Sequence, residues 1–437
     1  MEQTRRHGMG KIKVACGPAH HPNQPAMDRG TYGIVSHDPK HDTSMKTTSL
    51  FDDGALNSMN VMEAVACRWF QKHSIQGVID VRDVTLHRPT EHIRIAQKHA
   101  PHGDLLDFVL RTPRKRRLSI ACDVFLQLLT SVHSMHQHGI VHGDIKPNNV
   151  VVVEDGATVQ VRIIDFGSCQ LHARGVQQHN GGCTYIYAPP EVFMDAVTDL
   201  TKIDAYSLGA VMHFLVHGNH LIDPRIHHTV AEFRAMHERL RASPPESRRE
   251  DVPADLHGAI ARLLRADPRE RVGVDQLFYE MCPEPIAVFD PDIVVSDAAV
   301  PPSAERFAAM HRVYDACARN NMTSFPLACN IADRCAHAWR RGCSLAELDA
   351  CVAVARCVME CDCADLGPDV RVAAMDVLVT LRFDVLSDTC DVVLRRHHAV
   401  REVDYEALLD AVCRAGGRTG AIVSAYLNLT GGGRRRR

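Results

Sequence analysis

Between residues 25 and 100, short stretches alternate apolar and polar positions with a period of two, as half-buried strands do: Gly33–His37, Thr43–Thr47, Gly77–Val84 and His92–Gln97. One segment among them, Leu56–Phe70, repeats its apolar residues every three or four positions and predicts a helix. After Gly103 the longer period takes over. Leu118–His138 predicts a helix burying one face, and a strand pair, Asn149–Val153 with Val159–Ile164, is joined at Glu154-Asp155-Gly156, a turn signal. Helical patterning continues to about residue 282. Pro283–Pro302 then carries five prolines and no helical period, which reads as a linker. About five helix-patterned segments follow with hardly any strand signal. The pattern predicts an α+β body with a small β-rich lobe and a large helical lobe, then a separate all-α domain. The expected division is a loose leader over 1–24, a two-lobed domain over 25–282, a linker over 283–302 and a helical domain over 303–430.

Composition narrows the class. A chain of 437 residues is long enough for more than one core, and 45% apolar with 24% charged is ordinary globular usage. Fifty Lys+Arg against 53 Asp+Glu give −3, so no bulk charge draws the chain to nucleic acid or a membrane, and neither partner is expected. No continuous apolar run approaches the roughly 18 residues that span a bilayer. Sixteen cysteines without a secretory signal imply reduced thiols, hence an intracellular protein of the cytoplasm. Ten of them follow residue 300; for the tight group Cys357, Cys361 and Cys363, burial as small side chains is favoured over a zinc site. Arg114-Lys115-Arg116-Arg117, placed between two helical segments, and Arg434–Arg437 are either solvated charge or nuclear-import signals.

Candidate chemistry concentrates on two loops. His142-Gly143-Asp144-Ile145-Lys146-Pro147-Asn148-Asn149 offers a carboxylate to accept a hydroxyl proton (Asp144), a cation to reach a moving phosphate (Lys146) and an amide to ligate a metal (Asn149). Sixteen residues later, after an apolar strand, Asp165-Phe166-Gly167 adds a second metal-binding carboxylate and a glycine that lets the chain turn. HxDxKPxN followed by DFG in this order resembles the protein kinase family.

The resemblance extends over about residues 25–282. Gly30-Thr31-Tyr32-Gly33-Ile34-Val35 resembles the glycine-rich loop over ATP phosphates, with Asp28 in place of the usual first glycine. Gly30, Gly33 and Val35 are thereby expected at the nucleotide. Lys46 fits the lysine that holds the α- and β-phosphates, and Glu63, seventeen residues on, its carboxylate partner. Gln97–Ala100 falls where the adenine hinge is expected, with Gln97 as gatekeeper and Ala100 beside the base. Thr184 and Tyr187-Ala188-Pro189-Pro190-Glu191 resemble the end of an activation segment. Asp204 resembles the aspartate that braces the catalytic loop, and Arg271 the buried ion-pair partner of Glu191. The resemblance implies ATP and Mg²⁺ as cofactors and protein serine or threonine as substrate, since Lys146 matches serine/threonine kinases. Gly143 departs from it: most kinases carry an arginine before the catalytic aspartate, and without one a phosphorylated activation segment lacks its usual charge partner.

The tail has a resemblance of its own. Pro326–Arg334, Leu345–Met359 and Met375–Val385 with Thr389 are similar to successive helices of a cyclin box, at about 303–400. Cyclins grip a kinase through a lysine and a glutamate; here Cys357 and Asp376 stand at those positions, so such a grip needs different contacts. The partners implied are the chain's own cyclin-like domain in cis, or a separate kinase or cyclin in trans. The competing expectation is a catalytically weak kinase-like scaffold that binds cell-cycle kinases or cyclins.

Overall fold

The computed structural model describes residues 28–30, 33–172, 182–193, 199–223, 251–282, 304–318, 324–360, 366–383 and 404–415, with single positions between them. The predicted leader, the linker over 283–302 and the basic end of the chain lie outside the described residues.

Alternating residues of the first lobe fold as an antiparallel sheet in the order β1 (Asp28–Gly30), β2 (Gly33–Asp38), β3 (Thr43–Ser49), β7 (His92–Lys98), β6 (Val81–His87). A two-residue hairpin, β4 (Phe51–Asp52) with β5 (Ala55–Leu56), leads into helix α1 (Ser58–His73). The Asn57 side chain caps that helix by accepting from the Asn60 N–H at 3.0 Å, and Ser74 ends it in a left-handed conformation. Ten of its sixteen residues are buried, which is more than one sheet can cover. Something must pack on its other side.

The strand expected over Gly77–Val84 is displaced to Val81–His87. Residues 77–79 instead pair across the lobes: Ile163 N–H donates to Gly77 O and Ile79 N–H to Ile163 O, each at 3.0 Å. Gly77 has φ +76°, and a Cβ there would lie 1.7 Å from Ser131 Oγ, so no other residue fits this crossing.

The second lobe is built on α2 (Leu105–Arg111), α3 (Arg114–Gln137), the short strand β8 (Ile140–Val141), the hairpin β9 (Val150–Asp155) with β10 (Val159–Ile163), and β11 (Gln170–Leu171), which pairs with β8. Helices α4 (Pro190–Phe193), α5 (Thr201–His217), α6 (Ala254–Leu263) and α7 (Val274–Met281) complete it. By length and composition α3 could cross a membrane, contrary to the sequence expectation, but Val124, Phe125, Leu128, Leu129 and Val132 are fully buried in the core. The basic run is corrected too: Arg114–Arg117 forms the first turn of α3. Arg114 binds Asp251 and the Val216 carbonyl, Arg116 pairs with Asp155, and buried Arg117 donates to Leu215 O. Three of the four basic residues are therefore tied into the lobe. A polar first turn behind Pro113 has no apolar period to reveal it.

The tail contains five described helices, α8 (Ala304–Ala318), α9 (Phe325–Trp339), α10 (Leu345–Glu360), α11 (Pro368–Thr380) and α12 (Tyr405–Ala415). A buried pair ties them. Arg306 Nε and Nη2 reach Asp333 at 2.8 and 2.7 Å, and its Nη1 donates to Val412 O at 2.6 Å. This bundle supplies the missing cover: α10 packs against α1, β5 and β11, and α11 against β6. Cys357 is fully buried in α10, as a small core side chain, while Cys361 and Cys363 lie outside the described residues.

Candidate active site

Strand register places the first group. Val35 lies opposite Lys46 on neighbouring strands, and Gly30 opposite Gly33 at the mouth of the β1–β2 hairpin. A Cβ on Gly33 would come within 2.8 Å of the Thr47 carbonyl, so the hairpin's approach to β3 depends on a bare α-carbon. Gln97 sits on β7 between Ser44 and Val81, and Ala100 packs, partly buried, beyond the strand's end. Next to it, Asp104 caps α2 through Asp107 N–H (2.8 Å) and accepts from Asn148 Nδ2 (3.0 Å), tying this edge to the catalytic loop.

Lys46 is the bridge. Its Nζ donates to Glu63 Oε1 at 2.6 Å and Asp165 Oδ1 at 3.1 Å, joining β3, α1 and the Asp-Phe-Gly turn. Burial pushes the Glu63 carboxyl up to about 7, with Lys46 opposing. For Asp165, burial is outweighed by Lys46, and its carboxyl stays below the usual range. Asp165 takes a left-handed backbone at φ +64°, uncommon for a residue with a Cβ and held here by its surroundings. Phe166 is buried edge-on to Phe70 of α1, with ring centroids 4.7 Å apart, so the turn packs directly on the helix.

The catalytic loop hangs from one buried carboxylate. Asp204, on α5, accepts from His142 N–H (2.8 Å) and Gly143 N–H (2.9 Å), and contacts His136 Nε2 at 2.8 Å. Burial raises its pKa, but these hydrogen bonds outweigh that and hold it below the ordinary value. His142 accepts at Nδ1 from the Asp144 N–H (3.2 Å), so Nε2 carries the proton it donates to Ile164 O at 3.1 Å. Gly143 has φ +78°, and a Cβ there would lie 2.7 Å from the Ser168 carbonyl.

Asp144 then presents its carboxylate beside Lys146. Lys146 Nζ donates to Asp144 Oδ2 (2.6 Å) and to Thr184 Oγ1 (2.9 Å), and Thr184 N–H donates to Asp144 Oδ1 (2.7 Å). The activation segment's end is thus fastened to the loop. Asn149 gives its Nδ2 to the Asp144 carbonyl at 2.9 Å, which turns its amide oxygen to other use. That oxygen and the ionised Asp165 carboxylate are hard donors that suit Mg²⁺ completed by phosphate oxygens. Glu191 and Arg271 meet as expected: Nη1–Oε1 is 2.5 Å and Nη2–Oε2 3.0 Å, both side chains buried.

Sequence reasoning missed the contacts that fasten the tail to the small lobe. Arg88 and Glu91 lie in the β6–β7 turn. Arg88 Nη1 meets Asp376 Oδ1 of α11 at 2.6 Å, and Glu91 pairs with Arg371 of the same helix. The Arg371 guanidinium also lies 4.2 Å from the centre of the Phe51 ring. On α1, Arg68 Nε donates to the Arg382 carbonyl at 2.8 Å.

A β-rich lobe and a helical lobe meeting at a lysine–glutamate–aspartate bridge, above a loop carrying Asp144 and Asn149, define the protein kinase class. Residues 30–281 match the family model of the protein kinase domain, and the chain belongs to that family. Similar proteins include NUAK family SNF1-like kinase 2 of Rattus norvegicus, 29% identical over 42% of this chain and 28% of that protein. Sperm motility kinase 3A of Mus musculus is 34% identical over 35% of this chain and 29% of its own. CBL-interacting protein kinase 4 of Oryza sativa subsp. japonica is 30% identical over 49% and 50%. The matched regions thus span between about a quarter and half of these relatives. A solved chain from the structure of the CAK complex of Chaetomium thermophilum bound to ATP-gamma-S superposes with a TM-score of 0.48 at 20% identity, covering 60% of this chain and 92% of that one.

Proposed function

We propose that the chain is a serine/threonine protein kinase that transfers the γ-phosphoryl group of ATP to protein hydroxyls, and that its helical tail acts in cis as a cyclin-like regulator. The carrying observation is the Lys46 bridge: a partly buried lysine held at once by Glu63 and Asp165, in register with Val35 beneath the glycine hairpin. Lys46 holds the α- and β-phosphates, and Gly30 and Gly33 cover them. Gln97 and Ala100 border the adenine. Asp144 orients the substrate hydroxyl and accepts its proton, while Lys146 stabilises charge on the phosphoryl group in flight. Asn149 and Asp165 would hold Mg²⁺, which offsets phosphate charge when bound. The contact of Lys146 with both Asp144 and Thr184 favours serine or threonine as acceptor.

Regulation follows from what covers α1. Glu63 reaches Lys46 only if α1 is pressed against the sheet, and α10 packs on that helix. Asp376, the acid in the cyclin-like pattern, pairs with Arg88 of the small lobe, which supports a cyclin-like grip on the kinase lobe. The proposal is tested with purified full-length protein, Mg²⁺, labelled ATP and a peptide library. Phosphoserine or phosphothreonine should form, and Asp144→Asn should lower the rate by about 10²-fold or more while leaving the thermal melt unchanged. A chain ending at residue 285 should fold and lose activity. Full activity in that truncation would sink the cis regulation; no phosphotransfer by the whole chain would sink the kinase assignment and leave a scaffold.

A further inference from the structure

The sheet face that carries Lys46 continues past it toward the end of β7. Val35 lies opposite Lys46 and His37 opposite Ser44, and residues two apart on a strand share a face. Gly33, Val35 and His37 of β2, with Lys46 and Ser44 of β3, therefore form one roof. Lys46 reaches from it to Glu63 and Asp165, which marks this as the side that looks into the site. Ser44 and His37 stand about 7 Å beyond Lys46 along the strands. There Ser44 is in register with Gln97, and the chain leaves β7 through His99 and Ala100.

Two imidazoles close that end. The His37 and His99 rings stack with centroids 3.6 Å apart and planes 19° from parallel. Buried Ser44 shares a hydrogen bond with His99 through Oγ and Nδ1 at 3.0 Å, and the His99 N–H donates to Asp42 O at 3.1 Å. His99 is thus fastened by both its backbone and its ring. His37 is exposed, and among the described residues its side chain makes no hydrogen bond, so the stack is what places its ring. Burial, then the His37 ring, hold the His99 imidazole below its ordinary pKa with Asp42 opposing, so His99 is uncharged near neutral pH.

We propose that His37 and His99 are positioning residues for the base of the bound nucleotide: their stack pins the roof strand β2 to the end of β7 and fixes the height of the slot that adenine enters. The inference rests on the nucleotide site proposed above. At its other end the roof turns through Gly30 and Gly33, which place no side chain across the hairpin, so the ring pair is the anchor nearest the base. A slot already formed in the empty protein spares the nucleotide the ordering of its own roof. A roof that samples other heights lowers the apparent affinity by the fraction of time it is misplaced. Loss of one aromatic pair is enough to change affinity about 3- to 10-fold. The effect belongs to the base half of the nucleotide, because Lys46 and the glycines serve the phosphates.

The test uses full-length protein with Mg-ATP titrated calorimetrically, adenosine as a competitor, and steady-state kinetics on the same samples. His37→Ala and His99→Ala should each weaken ATP and adenosine by the same factor, about 3- to 10-fold, and raise the KM for ATP alike, with kcat moving by less than about twofold. His37→Phe keeps a flat ring on His99 and should recover most of the affinity. The double variant His37→Ala/His99→Ala should bind no more weakly than the weaker single variant, since the same stack is lost once. If wild type binds ATP and His37→Ala binds it equally well, this inference alone falls. It falls as well if ATP weakens while adenosine does not, or if His37→Phe is as impaired as His37→Ala. If wild type binds no ATP at all, the kinase reading falls and this inference with it.

Discussion

Replacing Arg371 by alanine should loosen the tail from the small lobe far more than replacing Asp376, although both sit on one helix and each makes one ion pair. Arg371 pairs with Glu91, each about one-third exposed, which is worth roughly 1 kcal/mol, the upper end for a solvent-accessible pair. Its guanidinium against Phe51 adds about 0.5–1 kcal/mol. The total of about 1.5–2 kcal/mol corresponds to a 12- to 30-fold shift in the docking equilibrium. The Asp376–Arg88 pair is more exposed, at 38% and 45%, and is worth about 0.5 kcal/mol, or two- to threefold. Hydrogen exchange of the full chain reads this directly. Amides in the β6–β7 turn and on the outer face of α1 should exchange about 10- to 30-fold faster in Arg371→Ala, and only two- to threefold faster in Asp376→Ala. Raising salt from 0.1 to 1 M should weaken both ion pairs, and so exceed the effect of Asp376→Ala, while the packing of Arg371 on Phe51 is retained. Equal protection in the two variants would refute the reasoning.

Three further outcomes follow. The rate should rise with pH through a limb near 7: below it Glu63 holds its proton and Lys46 loses a charged partner, above it the pair forms. A pH–rate profile should keep that limb in wild type and lose it in Glu63→Gln; an identical limb in both rejects the assignment. Arg271→Ala strands buried Glu191 at a cost of about 3–5 kcal/mol and should lower the melting temperature by roughly 6–20 °C, whereas a double replacement by leucine should recover part of the loss. A melt of the single variant within 2 °C of wild type would contradict this. Lys46→Met removes the shared cation of Glu63 and Asp165 and should abolish measurable transfer; unaltered activity would break the small-lobe alignment.

The catalytic half was legible because phosphate chemistry confines a few polar residues to fixed order on two loops. Asp144, Lys146, Asn149 and Asp165 advertise themselves by residue type, and the structure gathers them around Thr184 and Lys46. The Lys46–Glu63 pair was legible from spacing on a strand and a helix. The clasp was not. Arg371 and Glu91 are 280 positions apart, and each looks like any surface charge until the fold sets them together. The displaced β6 was illegible for a related reason: residues 77–79 carry strand chemistry, but tertiary pairing with Ile163 decides which sheet they join.

The clasp joins two parts of one polypeptide, and that fixes how it responds to abundance. An assembly of separate subunits comes apart on dilution, and its occupancy depends on both expression levels. Here association is unimolecular, with an effective concentration set by the length of the intervening chain, on the order of millimolar. Specific activity should stay flat across a dilution series, output should scale linearly with copy number, and a free competitor for the α1 face would need to reach comparable millimolar levels to displace the resident bundle.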